Sequence, residues 1–121
     1  MAAIHRPEDL KLEALDAAAA PGGSGASIKL QVLSQTEPYV HVTEVSPGYV
    51  IHPHSHSESE VTIVLSGSAR VGDRVCGAGT ILIVPADEEY SLVAGDDEPL
   101  VFAVVRPRKA AYTLTSDSAS G

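Results

Sequence analysis

Residues 48–67, GYVIHPHSHSESEVTIVLSG, decide the fold of this chain. His52, His54 and His56 fall on alternate residues, so on an extended strand they would project from one face. A short turn follows, and Glu60 then opens an apolar run typical of a second strand. Pairing the two strands would bring this carboxylate back toward the imidazoles. Such nitrogen and oxygen donors hold divalent transition metals, and this is the clearest chemical signal in the sequence.

Length and charge limit the classes of function. A chain of 121 residues forms one domain, and its net charge of −8 repels phosphate backbones and anionic lipid headgroups. Nucleic acid and membranes are therefore not expected partners, and the apolar runs are too short to span a bilayer. Cys76 is the single cysteine, which excludes an intrachain disulfide. Together with an N-terminus that lacks a secretory pattern, this favours a cytoplasmic protein.

The chain divides into an arm, a domain and a tail. Residues 7–20 carry leucines among helix-favouring residues, which predicts a short amphipathic helix or a partly ordered arm. The Gly-rich residues 21–27 are a flexible connector, so residues 1–27 form an N-terminal arm. The compact domain is predicted over residues 28–106. Residues 107–121 form a partly frayed tail.

Short apolar segments at regular intervals, separated by Gly, Pro and Asp turns, predict an all-antiparallel sandwich or barrel. Several of these strands are apolar on both faces, so one face fills the interior and the other is expected to meet a second subunit. A homodimer is therefore predicted, with cover by the N-terminal segment as the alternative. Besides the two strands above, the predicted strands are 28–34, 39–45, 70–75 with a bend or hairpin at Gly72-Asp73, 80–84, 91–94 and 100–105.

The histidine stretch carries a resemblance to a known family. Gly48, His54, His56, Glu60 and Gly67 resemble the first conserved motif of the cupin superfamily, and every spacing is matched. This motif is highly specific. With the second motif and the surrounding strands, the resemblance covers roughly residues 28–106.

The second cupin motif is matched in part. Gly79 and Pro85 stand where that motif has its glycine and proline. Three positions depart from it: Asp87 replaces a glycine, Tyr90 replaces the metal-binding histidine, and Ala94 replaces an asparagine. The departure at Tyr90 bears most directly on function, because it removes one protein ligand.

The resemblance implies an all-β, antiparallel jelly-roll barrel whose mouth holds one divalent metal, with His54, His56 and Glu60 as ligands. Such a site leaves positions open for water, substrate or dioxygen, and iron, manganese, nickel, zinc and copper all accept it. Tyr90 would either ligate the metal or donate a proton beside it. His52 lies too far along the strand to ligate with the other two histidines, so it is predicted to orient substrate or shuttle a proton.

The leading functional hypothesis is a metal-dependent enzyme acting on a small organic molecule. Similar single-domain cupins include dioxygenases, isomerases, lyases and cyclases of secondary metabolism, so the hypothesis covers oxygenase and carbonyl-activating chemistry. One alternative is a non-catalytic cupin that binds a small ligand or metal. Another is a metal-free enzyme in which His54, His56 and Tyr90 act as acid and base. His41 lies on the preceding predicted strand, and its parity leaves open whether it faces the interior.

Overall fold

The structure, a computed structural model, describes residues 1–16 and 23–114. It is almost entirely antiparallel β-structure, with one short 3-10 helix at Pro7–Asp9. The strands are β1 (Glu13–Leu15), β2 (Gly23–Ser24), β3 (Ile28–Gln35), β4 (Tyr39–Val45), β5 (Val50–His56), β6 (Glu60–Ser66), β7 (Ser68–Val71), β8 (Arg74–Gly77), β9 (Ile81–Val84), β10 (Tyr90–Ala94), β11 (Leu100–Arg106) and β12 (Tyr112–Leu114). Each predicted strand is present, and the predicted hairpin at Gly72-Asp73 joins β7 to β8.

Two sheets build the domain. Sheet A has the strand order β1-β3-β4-β11-β6-β9, and sheet B has the order β12-β5-β10-β7-β8 with β2 added beside β5. The strands of both sheets alternate buried and more exposed residues, as when one face of each sheet lines a shared interior. This is the jelly-roll arrangement that the sequence predicts.

The core lies between the sheets. Val45, Leu100 and Phe102 of sheet A cluster with Leu92 and Ala94 of sheet B, and all of them are buried. The core does not fill the whole interior, because the half nearer to the histidine strand encloses a cavity. Within residues 1–16 and 23–114, no helix is long and apolar enough to cross a membrane.

The N-terminal segment contains no amphipathic helix among its described residues. The 3-10 helix ends at Asp9, and β1 then pairs with β3, with Leu15 opposite Ile28. Residues 17–20 of the predicted helix lie outside the described residues. A helix this short is marginal in water, whereas the edge of β3 offers unpaired backbone groups that an extended segment satisfies. The arm alternative therefore describes the segment better, and it contributes a strand to sheet A.

The histidine strand is irregular at His52-Pro53. Between β5 and β10, Tyr90 pairs with His54 but Leu92 pairs with Ile51, so the pairing register shifts between them. A β-bulge changes which residues face the interior, and Pro53 suits it because proline has no N–H for the ladder. Consequently Ile51, which precedes the bulge in the chain, lines the interior, and so do His54 and His56, which follow it.

Candidate active site

A cavity of about 370 Å³ opens between the sheets beside the histidine strand. Most of its wall is apolar and includes the side chains of Ile51, Leu92 and Phe102. Its polar residues are His41, Thr43, Tyr49, His54, His56, Thr62, Tyr90, Arg106 and Tyr112. A mostly apolar cavity with a few convergent polar groups is the usual form of a small-molecule site.

A buried carboxylate organises the polar end of the cavity. Glu60, at the start of β6, is 2% exposed. Its Oε2 accepts hydrogen bonds of 2.6 Å from the Thr62 hydroxyl and 2.6 Å from the Tyr90 hydroxyl. Its Oε1 lies 3.1 Å from Arg106 Nε and 3.0 Å from Arg106 Nη2. We call Glu60, Thr62, Tyr90, Arg106 and His56 the Glu60 cluster.

This network decides the charge states within the cluster. Burial raises the pKa of Glu60, but the hydrogen bonds from Thr62 and Tyr90 and the charge of Arg106 outweigh it, so the net pKa is lowered and the carboxylate is ionised. Burial, together with the neighbouring Glu60 carboxylate, raises the pKa of the Tyr90 phenol well above its usual value. Tyr90 is therefore a neutral donor that holds Glu60, and it does not readily release its proton.

His54 presents a basic nitrogen on a residue that lines the cavity. Its Nδ1 lies 2.8 Å from the backbone carbonyl of His52 and must donate to it, because a carbonyl only accepts. The neutral ring then carries its lone pair on Nε2. Burial lowers the pKa of His54, which keeps the ring neutral near pH 7. Among the described residues, none makes a hydrogen bond to Nε2, so this nitrogen remains available to a ligand.

His56 has the opposite tautomer. Arg106 Nη2 lies 3.3 Å from His56 Nε2, and since a guanidinium only donates, Nε2 accepts and the proton is on Nδ1. Burial and the charge of Arg106 lower the pKa of His56 to about 4. Nδ1 is buried and has no hydrogen-bond partner among the described residues. An unsatisfied buried donor costs about 1–3 kcal/mol, so Nδ1 lowers the contribution of His56 to stability.

Aromatic rings enclose His54. Tyr112, on β12, stacks on it with ring centroids 4.8 Å apart and planes 17° apart, and Tyr90 approaches from the other neighbouring strand with centroids 4.5 Å apart. Both contacts follow from the pairing of β5. Tyr90 lies directly opposite His54, whereas Tyr112 lies opposite His56 and reaches His54 diagonally, because the two histidines are neighbours on one face of β5. These contacts hold the imidazole in one orientation.

The structure brings together four of the five residues singled out from the sequence. His54, His56 and Tyr90 line the cavity, and Glu60, which does not line it, accepts a hydrogen bond from the Tyr90 hydroxyl. His52 is not among the cavity residues, and its Nε2 instead lies 3.1 Å from the hydroxyl of Ser24 on β2. The bulge at His52-Pro53 explains the difference, since it breaks the alternation that put all three histidines on one face.

The arrangement does not fit a metal ion bound by His54, His56 and Glu60. Arg106 Nη2 lies 3.0 Å from Glu60 Oε1 and 3.3 Å from His56 Nε2, and these two predicted ligand atoms lie 3.7 Å from each other, so a guanidinium contacts both of them. A metal would have to lie about 2.0–2.2 Å from each ligand atom and so directly against this positive charge. Over residues 1–16 and 23–114, no group of three or more His, Cys, Asp or Glu side chains is arranged to hold a metal ion.

Three members of the site, Thr62, Arg106 and Tyr112, were not predicted from the sequence. Arg106 ends the alternation Leu100, Phe102, Val104 on the buried face of β11, and this parity is a signal that could have placed it inside. Tyr112 comes from the segment predicted to be a tail, where β12 is too short to show a pattern. His41, left open by the sequence, lines the cavity and bonds Thr43 Oγ1 at 3.0 Å.

Comparison with known proteins places these features in context. A family model described as a cupin domain matches residues 41–106. The polyketide cyclase RemF from Streptomyces resistomycificus superposes with a TM-score of 0.72 at 25% identity, covering 97% of this chain and 89% of that one. KdgF from a Halomonas species gives a TM-score of 0.67 at 17% identity, covering 90% of this chain and 96% of that one.

A predicted oxalate decarboxylase from Thermotoga maritima gives a TM-score of 0.70 at 19% identity, covering 88% of this chain and 100% of that one. At this level of identity, the likeness to the Thermotoga and Halomonas proteins shows the fold alone. No curated protein matches the sequence.

Proposed function

The chain belongs to the cupin family, and from this premise we propose that it is an enzyme that moves a proton on a small, largely apolar carbonyl compound. This is the carbonyl-activating chemistry of an isomerase, lyase or cyclase. The observation that carries the proposal is the 2.8 Å contact of His54 Nδ1 with the His52 carbonyl, from which we deduce that Nδ1 carries the proton and Nε2 is left as a base on a residue that lines the cavity.

In the proposed reaction, His54 Nε2 takes a proton from the carbon next to a carbonyl group. The electron pair of that C–H bond moves toward the carbonyl oxygen, and an enolate forms. The protonated His54 then returns the proton to a different atom of the substrate or to a leaving group, so that the enzyme ends in its starting state. The nearby Arg106 cation, fixed by Glu60, stabilises the negative oxygen.

The cavity supports the proposed substrate class. A volume of about 370 Å³ admits a compound of one or two rings, and the apolar walls favour a substrate with little charge. The net charge of −8 disfavours phosphorylated substrates. The likeness to RemF, a polyketide cyclase, points in the same direction. The single cysteine favours a reducing cytoplasm as the place of action.

A metal-dependent cupin is the second candidate, because the spacing of His54, His56 and Glu60 matches the first cupin motif throughout. In that case iron, manganese, nickel, zinc or copper would support oxygenase or Lewis-acid chemistry. This candidate requires Arg106 to leave its position beside Glu60 Oε1.

The test follows proton exchange on α-tetralone, an aromatic ketone of suitable size, in D₂O with and without EDTA. We expect the enzyme to incorporate deuterium next to the carbonyl and to continue in EDTA, and His54→Ala to lose most of this rate. His52→Gln is the matched control, since it changes a histidine on the same strand that lies outside the cavity residues.

Exchange that EDTA stops and one added metal restores would favour the metal-dependent candidate. Exchange that His54→Ala leaves unchanged would contradict the role of His54. Binding of aromatic ketones without exchange would indicate a cupin that only binds its ligand.

A further inference from the structure

We infer that the guanidinium of Arg106 takes the place of the metal ion in this site, and that its free N–H groups bind the carbonyl, enolate or carboxylate oxygen of the ligand. The inference rests on the proposed function for its catalytic meaning. Its evidence and its metal-binding test do not depend on any substrate.

Arg106 contacts two of the predicted metal ligands. Its Nη2 contacts both Glu60 Oε1, at 3.0 Å, and His56 Nε2, at 3.3 Å. These are two of the atoms that the first motif would offer to a metal. The residue is 8% exposed, so a permanent positive charge is buried in contact with two of the predicted ligand atoms.

The strands on either side of β11 fix the position of the Arg106 guanidinium. Residue 106 closes β11 opposite Tyr39 of β4, and the Arg106 Cζ lies 5.5 Å from the centre of the Tyr39 ring. The guanidinium therefore has a cation–π partner on one side and a carboxylate on the other. Both partners come from strands that pair directly with β11.

Both carboxylate oxygens of Glu60 are already occupied by hydrogen-bond donors. Its oxygens accept hydrogen bonds from Thr62, Tyr90 and Arg106. A metal would have to displace hydrogen-bond donors from this buried carboxylate, and separating a buried ion pair is unfavourable. It would also lie next to the guanidinium, whose like charge opposes binding.

The unused N–H groups of Arg106 indicate which ligand atoms it can bind. A guanidinium has five N–H donors, and in Arg106 the Nε and Nη2 groups are directed to Glu60 and His56. Among the described residues, no acceptor is bonded to Nη1, and Arg106 lines the cavity. The two N–H groups of Nη1 are thus suited to an oxygen with lone pairs or negative charge, on the same side of the cavity as the Glu60 cluster.

The test measures cobalt(II) binding through its visible absorbance and by equilibrium dialysis. We expect the wild type to bind no stoichiometric cobalt. Arg106→Gln, which keeps a hydrogen-bonding side chain but removes the charge, should bind cobalt about 100-fold more tightly than the wild type, and His56→Ala in that background should abolish the gain. Arg108→Gln is the matched control, because Arg108 pairs with Glu58 at the surface and should leave cobalt binding unchanged.

Stability is followed in the same samples by circular dichroism. Arg106→Gln leaves Glu60 without its cation, so its melting temperature should fall and recover when zinc is added, whereas that of the wild type should not respond. If Arg106→Gln does not fold even with zinc, Arg106→Lys decides the question: its smaller, single-point cation should give cobalt affinity above that of the wild type.

Wild type that binds one cobalt through His54 and His56 would overturn the inference. Cobalt affinity that is equal in the wild type and in the folded Arg106 variants would also overturn it. Neither result depends on ketone exchange, so failure of the proposed function and failure of this inference are distinguishable.

Discussion

At the scale of single residues, the histidines of the cavity are held neutral by their surroundings. His41 is 8% exposed, and burial together with the charge of Arg106 lowers its pKa from 6.5 to about 4. The unfolded chain therefore takes up a proton near pH 6.5 that the folded chain does not take up until about pH 4. In this window the unfolded state binds more protons, so the free energy of unfolding decreases as the pH falls.

His41→Gln tests this linkage, because glutamine preserves a polar partner for Thr43 and does not titrate. We expect the wild type to lose more stability than the variant between pH 7 and pH 4.5, by roughly 2 kcal/mol, as measured by urea unfolding at each pH. His5→Gln, at an exposed position near the N-terminus, is the control and should follow the wild type. An identical pH dependence in wild type and His41→Gln would contradict the assigned burial effect.

Site residues that lie close together in the sequence could be predicted, whereas those that meet only through the fold could not. His54, His56 and Glu60 lie within one strand–turn–strand unit, so their spacing alone predicted their meeting. Arg106 reaches Glu60 from 46 residues away, and only the alternation of β11 hints at its direction. His52 was placed on the wrong face, because a bulge at a proline is not visible in a count of alternate residues.

At the scale of elements, the turn between β9 and β10 shows how the sequence departs from the cupin motif and keeps its geometry. Asp87 occupies the motif's glycine position and has φ of 64°, the only positive φ of a non-glycine residue in the described ranges. Its backbone N–H donates to the carbonyl of His56 at 2.7 Å. Aspartate tolerates this left-handed conformation better than most residues, so the turn still reaches the histidine strand.

This conformation predicts opposite effects for two substitutions. Asp87→Ala should destabilise the fold by about 1 kcal/mol, whereas Asp87→Gly should cost nothing or stabilise it slightly, as measured by thermal unfolding. Asp73→Ala is the control, since Asp73 is an exposed turn aspartate without a positive φ, and it should change stability by less than about 0.5 kcal/mol. Equal effects of alanine at both positions would show that the backbone of Asp87 is not strained.

The strands could be predicted because each combines an apolar run with Gly, Pro or Asp at its ends. For the N-terminal segment, local propensity predicted a short helix or a partly ordered arm, and pairing with the free edge of β3 makes residues 13–15 the strand β1. The short strands β2 and β12 have no pattern of their own and exist through pairing with β5. Pairing across the sheet decides the structure of segments of this length.

At the scale of the whole molecule, the outward side of sheet A is apolar over part of β11, β6 and β9. Two cross-strand rows, Val105–Val61–Ile83 and Ala103–Ile63–Ile81, contain no polar side chain. We call these six residues the outer apolar face. Ile81 is 61% exposed and Ile83 is 75% exposed. A contiguous apolar area of this kind is usually an interaction site.

The outer apolar face supports the homodimer proposed from the sequence. Two copies that each carry a charge of −8 repel one another least where they meet through an uncharged surface. We expect the wild type to be a dimer by light scattering at micromolar concentration, and Ile83→Lys to be a monomer. Val75→Lys is the control, because Val75 is equally exposed, at 77%, but lies on sheet B. A monomeric wild type, or an Ile83→Lys variant that remains dimeric, would contradict the proposal.

The tyrosines of this chain give it an optical property. The protein has four tyrosines and no tryptophan. Tyr49, Tyr90 and Tyr112 line the cavity, and Tyr39 faces the guanidinium of Arg106. Nearly all of the intrinsic fluorescence therefore originates around the cavity, without a background signal from distant indoles. A compound that enters the cavity changes the emission of the whole molecule, so unlabelled protein can be used to screen ligands directly.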